Sequence, residues 1–299
     1  MVTNSLAETP DGLQLHPALH FLRDRLAGCR RTWFAASSYT PLSLFARWVG
    51  QPPAALVGAR IDLPGDARQC WMASPFHARL MRDHLQVMPE GLFGWTADDA
   101  VDLAELLNPF LSDDGMSLHT TGAALILACR EPMEAAPAAF AEVAGKVLPN
   151  RHPSGADGGR LMRLVSEIQM YLHHHRGNLK SAAADVSGLW FWGGIPLPLE
   201  RSFSSLPSVA TLNPFLAAVA EGRNAQLTMS DAEQLERLIN PASPLPRDSV
   251  LFGDGHALWL RSSPVATVVS KLQRTGLGLK QPDKLKHEEA LWRMLQERT

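Results

Sequence analysis

The chain has 299 residues, 45% of them hydrophobic and 19% charged, with 28 basic against 30 acidic side chains and a formal net charge of −2. That composition can bury a substantial core in one large domain or two modest ones, which excludes wholesale disorder. The near-balance of charge gives no electrostatic footprint for nucleic acid or an anionic membrane surface, so neither is an expected partner.

Residues 1–11 are polar and are expected to be loose. Leu15 to Arg31 carries Leu19, Phe21, Leu22 and Leu26 at helical spacing, with Gly28 near its end. Pro41 to Val49 reads as a second amphipathic helix, Pro41 suiting the first turn and Gly50 the stop. Ala55–Leu63 reads as a strand, as does Arg68–Ala73, and His84–Met88 as a short one ending at Pro89. Thr96 is placed to cap a helix over Ala97–Leu107, with Asp98 and Asp99 favouring its dipole. Met116–His119 and Ala123–Cys129 read as paired strands across Thr120-Thr-Gly122.

The stretch 131–159 contains Pro132, Pro137, Pro149 and Pro153, then Gly155, Gly158 and Gly159, and reads as a connection. Arg160–Arg176 is a helix, Gly188–Trp192 a strand, and Ser230–Ile239 a helix with Glu233 completing a capping box. Ser249–Phe252 and His256–Arg261 form a hairpin across Gly253-Asp-Gly255, and the tail from Pro264 to Thr299 is helical and basic. The alternation predicts an α/β fold with a mixed sheet, flanking helices and a helix-rich C-terminal half. It is a single globular domain over 1–299, or two subdomains, 12–130 and 160–299, joined by 131–159.

Cys29, Cys70 and Cys129 form no CxxC pair, and Cys70 and Cys129 sit in apolar runs as inert buried thiols. No basic-then-apolar leader and no apolar run of about 20 residues is present, so the cytoplasm is the expected compartment. There is no GxGxxG after a strand, no Walker A, no GxSxG elbow and no EF-hand loop, and no cofactor is expected.

The helix 160–176 puts Leu161, Leu164, Val165, Ile168, Tyr171, Leu172 and His175 on one apolar stripe facing a core. His173, His174 and His175 point about 100° apart and cannot share one metal ion, so no metal site is assigned. One of them reads either as a structural histidine near a helix C-terminus or as a catalytic acid/base. In Leu189-Trp-Phe-Trp-Gly-Gly194, Trp190 and Trp192 share one side of a strand and Phe191 the other. Gly193 and Gly194 make either a tight exit from a core strand or a place where backbone amides approach a ligand at the strand's carboxyl end.

These segments resemble the hallmark of the RpfE-type regulatory-protein family of proteobacteria. Its members read Asn-Glu-x-Gln-Met-x-Leu-His-x-His-Pro-Val-Asn and then Ser-Leu-Trp-x-Trp-Gly-Gly. Glu167, Gln169, Met170, His173, His175, Asn178, Leu189, Trp190, Trp192, Gly193 and Gly194 coincide with that pattern. Cys70-Trp-Met-Ala-Ser-Pro-Phe-His77 resembles the family's Trp-Leu-x-Ala-Asp-Pro-Val-His, and Leu107 to Met116 its Leu-Asn-x-x-Phe-x-x-Asp-Gly. The chain departs from the pattern at Ser74 in place of Asp, at Arg176-Gly177 in place of Pro-Val, and at Ala124–Leu127 in place of Arg-Trp-Tyr-Leu.

The resemblance implies a regulatory or binding module without a catalytic signature. Glu167, Gln169, His173, Asn178, Trp190, Trp192, Gly193, Gly194 and His77 are its ligand-binding candidates, for a small molecule or a protein partner. Proteins of this kind also carry the label of cofactor-independent phosphoglycerate mutase, which implies a metal-dependent phosphotransferase or hydrolase. On that alternative Glu167 and His173 are the acid/base pair and Asp254 and His256 the metal ligands. No early Asp-Gly-x-Gly pattern and no Asp-Ser nucleophile motif accompany them.

Overall fold

The structure is a computed structural model that describes residues 2–9, 12–15, 29–36, 40–82, 85–88, 94–148, 152–199, 248–253 and 256–262. Its elements begin with strands β1 (Val2–Thr9), β2 (Gly12–Leu15) and β3 (Cys29–Ala35), then helices α1 (Thr40–Val49) and α2 (Pro53–Gly58). Strands β4 (Gln69–Phe76), β5 (Ala78–Leu80) and β6 (Leu85–Val87), helix α3 (Ala97–Ser112) and strands β7 (Met116–Thr121) and β8 (Ala124–Cys129) follow. Next come helix α4 (Phe140–Val143), strand β9 (Val147–Leu148), helix α5 (Gly158–His175) and 3-10 turns at Arg176–Asn178 and Ser181–Asp185. Strands β10 (Gly188–Pro196), β11 (Asp248–Gly253) and β12 (His256–Ser262) complete the set. The fold is α/β as expected, while the helices predicted over 230–239 and 264–299 lie outside the described residues.

Two compact units divide the chain: Met1–Leu44 with Leu206–Thr299, and Phe45–Ser205. The first holds a mixed five-stranded sheet in the order β2-β1-β11-β12-β3. The β11–β12 hairpin forms as predicted, with Gly253 opposite His256. Phe34, Leu44, Val250, Phe252, Ala257 and Trp259 make this unit's buried cluster. The polar N-terminal residues are not loose: β1 pairs in parallel with β11 and antiparallel with β2. The predicted helix Leu15–Arg31 is also corrected at both ends, since Leu15 closes β2 and Cys29 to Arg31 open β3. Both errors have one cause. Sheet pairing overrides what local polarity and spacing suggest: β1 pairs with β11 and β3 with β12, both far along the chain, and β2 pairs on β1.

The second unit holds an antiparallel sheet ordered β10-β4-β8-β7 and a smaller one ordered β5-β6-β9. Strand β8 is buried at every residue and β4 at all but its first, so their sequences run apolar rather than alternating. Helix α3 packs on β7 and β8, and helices α2 and α5 pack on β10. The segment at 55–63 is not extended: it is helical as far as Gly58 and then turns. Pro53 fits the first helical turn, and Ala54, Ala55, Leu56 and Val57 are all buried, which removes the periodicity that separates helix from strand. Helix α3 continues past Leu107 and through Pro109 to Ser112. Within its last turns, the Asn108 side chain pairs with Leu118 of β7 as a backbone would, accepting from its N–H at 2.7 Å and donating to its carbonyl at 3.1 Å.

Asp99 fixes the start of α3. One carboxylate oxygen accepts from the Thr96 N–H at 2.9 Å and the Thr96 hydroxyl at 2.6 Å, completing a capping box. The other accepts from the Ala183 N–H at 3.1 Å, tying the Ser181–Asp185 turn to the helix. Asp99 is buried, so its removal leaves several donors without an acceptor. Asp99→Ala should cost about 2 kcal/mol in denaturant unfolding, against under about 0.5 kcal/mol for the exposed neighbour Asp102→Ala. Equal losses for the two variants would refute the tie.

Candidate functional site

Pairing with β4 fixes where the predicted site residues fall. Gly188 lies opposite Phe76, Trp190 opposite Ser74 and Trp192 opposite Met72, so Trp190, Trp192 and Ser74 share one face of the sheet. Trp190 is buried and donates its indole N–H to the Ala138 carbonyl at 2.9 Å. Trp192 donates to the Ser74 hydroxyl at 2.8 Å, and both residues are buried. Ser74, the departure from the family's Asp, thus holds an indole that has no water to turn to.

Gly193 and Gly194 sit in a register shift between Trp192 and Ile195. Gly193 takes φ +62°, in the left-handed region, and a Cβ on Gly194 would lie 2.5 Å from the Trp71 ring. Both glycines therefore have a packing reason: the strand bulges and its backbone seats on an indole face.

At the other end of β10, the Gln169 side chain packs on the Gly188 backbone, its Cγ 2.8 Å from where a Cβ would stand. His77, just after Phe76, donates its Nδ1–H to the Asp185 carbonyl at 2.9 Å. Gln169 and His77 thus gather near the start of β10, while Gly193 and Gly194 lie about 20 Å along the strand.

On α5 the stripe is as predicted for Leu161, Leu164, Val165, Ile168 and Leu172, all buried. Tyr171 and His175 are half-buried rather than core. Tyr171 stacks between Phe110 at 4.9 Å and His175 at 4.1 Å, and His175 donates its Nδ1–H to the Tyr171 carbonyl. His173, His174 and Asn178 are exposed and Glu167 is half-buried. Among the described residues no three His, Cys, Asp or Glu side chains converge. Asp254 lies outside them, and His256 opens β12. The buried Cys70 and Cys129 thiols are pushed up to about 12 by desolvation, in keeping with inert core residues.

Beyond the Gly193-Gly194 bulge, the carboxyl end of β10 meets the end of α2 and the approach to β4. A cavity of about 350 Å³ opens there, its wall formed by Gly58, Ile61, Leu63, Arg68, Leu197 and Leu199 among others. Its lining presents polar and apolar surface in similar measure, with one charged residue, Arg68, which is exposed and makes no ion pair with the described residues. None of these residues was singled out from sequence, and their apolar loop chemistry carries no motif. The pointer that did exist was the Gly-Gly pair at a strand's carboxyl end. A second unforeseen pair is Ser117 and His119 on β7, with Oγ and Nε2 2.8 Å apart, where desolvation lowers the imidazole pKa. Their i, i+2 spacing on a strand was the readable signal.

Ser74→Ala should destabilise the protein by about 1–3 kcal/mol, because the Trp192 N–H is left buried without an acceptor. Gly194→Ala should cost a similar amount through its clash with Trp71, about 1–3 kcal/mol. The exposed His173→Ala should stay within about 0.5 kcal/mol of wild type. Thermal and denaturant melts of the three variants check the order.

No family model matches the chain, and no curated protein is similar to it. Among solved structures it is similar to the "Cofactor-Independent Phosphoglycerate Mutase from Thermoplasma acidophilum DSM 1728", at 12% identity and a TM-score of 0.33. That comparison covers 92% of this chain and 90% of the other, and a likeness this slight supports neither a fold assignment nor an activity.

Proposed function

We propose that the chain is a regulatory or binding protein of the RpfE type that holds a small molecule in the cavity at the carboxyl end of β10. The cavity carries this reading. Its volume, about 350 Å³, is in the range of small-molecule sites, and its mixed polar and apolar lining carries one charged group, Arg68. The ligand it suits has an anionic group directed at Arg68 and a body with both polar groups and an apolar part that meets Ile61, Leu63, Leu197 and Leu199.

The motif residues support the same division of labour. Trp190, Trp192 and Gly194 have packing or hydrogen-bonding roles inside the sheet and Gln169 packs on it from helix α5, so the segment that carries the resemblance serves as a signature of fold. Ligand contacts then fall to the loops at the strand's end.

The test uses 8-anilinonaphthalene-1-sulfonate, an apolar anion, titrated into the full chain and followed by fluorescence. A Cβ at Gly65, on the cavity wall, meets no atom within 4 Å, so Gly65→Trp fills space without a backbone clash. Saturable binding is expected, weakened about tenfold by Gly65→Trp and by Arg68→Ala, with melting temperatures unchanged. Wild-type affinity in both variants would end the reading.

A further inference from the structure

The small sheet β5-β6-β9 leaves apolar side chains in water. Three of the five exposed large hydrophobic residues among those described, Leu80 at 79%, Met81 and Val147, belong to it or to the residue that follows β5. Pairing brings Leu80, Leu85 and Leu148 into one row on one face, and Arg79, Gln86 and Val147 into a row on the other. Arg79, Arg82 and Lys146 are exposed, and the described residues 78–82, 85–88 and 145–148 include no acidic side chain. An apolar row on one face, with exposed Arg79 on the other and Arg82 just beyond the strand, suits a partner of alternating apolar and acidic pattern.

Its geometry also says how that partner lies. Met88 donates its N–H to the His77 carbonyl, which makes 77 and 88 a hydrogen-bonded pair and turns the backbone groups of Ala78 and Leu80 outward from β6. At Ala78 both outward groups are met by the Ser187 hydroxyl, which accepts from its N–H and donates to its carbonyl. Two residues on, the same outward direction at Leu80 gives an edge on which a strand can pair.

We propose that this edge takes an extended segment of a partner protein whose residues alternate apolar and acidic. Its backbone pairs with β5 at Leu80. Its apolar side chains cover the Leu80, Leu85 and Leu148 row, and its carboxylates reach Arg79 and Arg82.

The experiment titrates the peptide acetyl-Thr-Glu-Val-Glu-Leu-Glu-Thr-amide into the full chain by calorimetry. Saturable binding with a Kd below about 1 mM is expected. It should weaken about tenfold in Leu80→Asp and in the Arg79→Glu, Arg82→Glu double variant, and weaken with added salt. Methylating alternate peptide nitrogens should abolish it, because strand pairing needs those N–H groups. Three results would overturn the proposal: no saturable binding, equal binding of the methylated peptide, or indifference to Leu80→Asp. A dimer that disperses in Leu80→Asp would assign the surface to a second copy, and preferential binding of phosphatidylserine vesicles would assign it to a lipid headgroup. Either replaces the proposed partner. Leu80 is largely exposed, so its variants should keep the wild-type melting temperature; if Leu80→Asp does not, Leu80→Ser reads the same contact.

Discussion

A buried N–H without an acceptor costs about 1–3 kcal/mol, and the sheet β10-β4-β8-β7 has tryptophans on both of its faces. The arrangement of its surroundings follows from that constraint. Trp192 is met by Ser74 from the adjacent strand and Trp190 by the Ala138 carbonyl from the chain leading into α4. Trp71 donates to the Gln69 side chain at 2.9 Å. The same amide accepts from the Met133 N–H and donates to its carbonyl, so it clamps the chain after β8. Trp95, before α3, finds the Ala123 carbonyl at 2.8 Å. Each indole therefore recruits a particular loop or strand, and the loops are positioned as much by these donors as by apolar contact.

The bulge at Gly193-Gly194 belongs to the same arrangement. Seating backbone on the Trp71 ring requires a residue without a Cβ; after the shift Ile195 and Pro196 resume pairing with Cys70 and Gln69, and Leu197 to Leu199 then lead toward the end of α2. The cavity at Arg68 lies in the space between those two segments. The interior motif and the cavity wall are thus linked physically without sharing residues, and the β5 edge is separate again, met by Ser187 at Ala78 and carrying no backbone pairing at Leu80 among the described residues.

Legibility followed the range of the interactions. The capping box at Thr96 and Asp99, the stripe Leu161–Leu172 and the β11–β12 hairpin depend on residues within a few positions of one another, and all were readable. Strand β1 depends on β11 far along the chain, and α2 is buried on every side, so local pattern misdescribed both. Tyr171 lay on the right face of α5, but how much of it is covered depends on Phe110 from another helix. The cavity was not legible because its walls come from two segments far apart in sequence, 58–68 and 197–199, whose residues have no distinctive chemistry.

By itself the sequence determined which segments could be amphipathic, where α3 starts and which strands could be fully apolar, because period, caps and turn residues act over one or two turns of chain. It also determined that two tryptophans would share a face of β10. Only the tertiary structure decided that those indoles are satisfied inside the sheet, that Gly194 rests on Trp71, and that Arg68 stands beside a cavity. Acceptors, close approaches and cavities are properties of segments distant in sequence, and no local pattern encodes the distance between them.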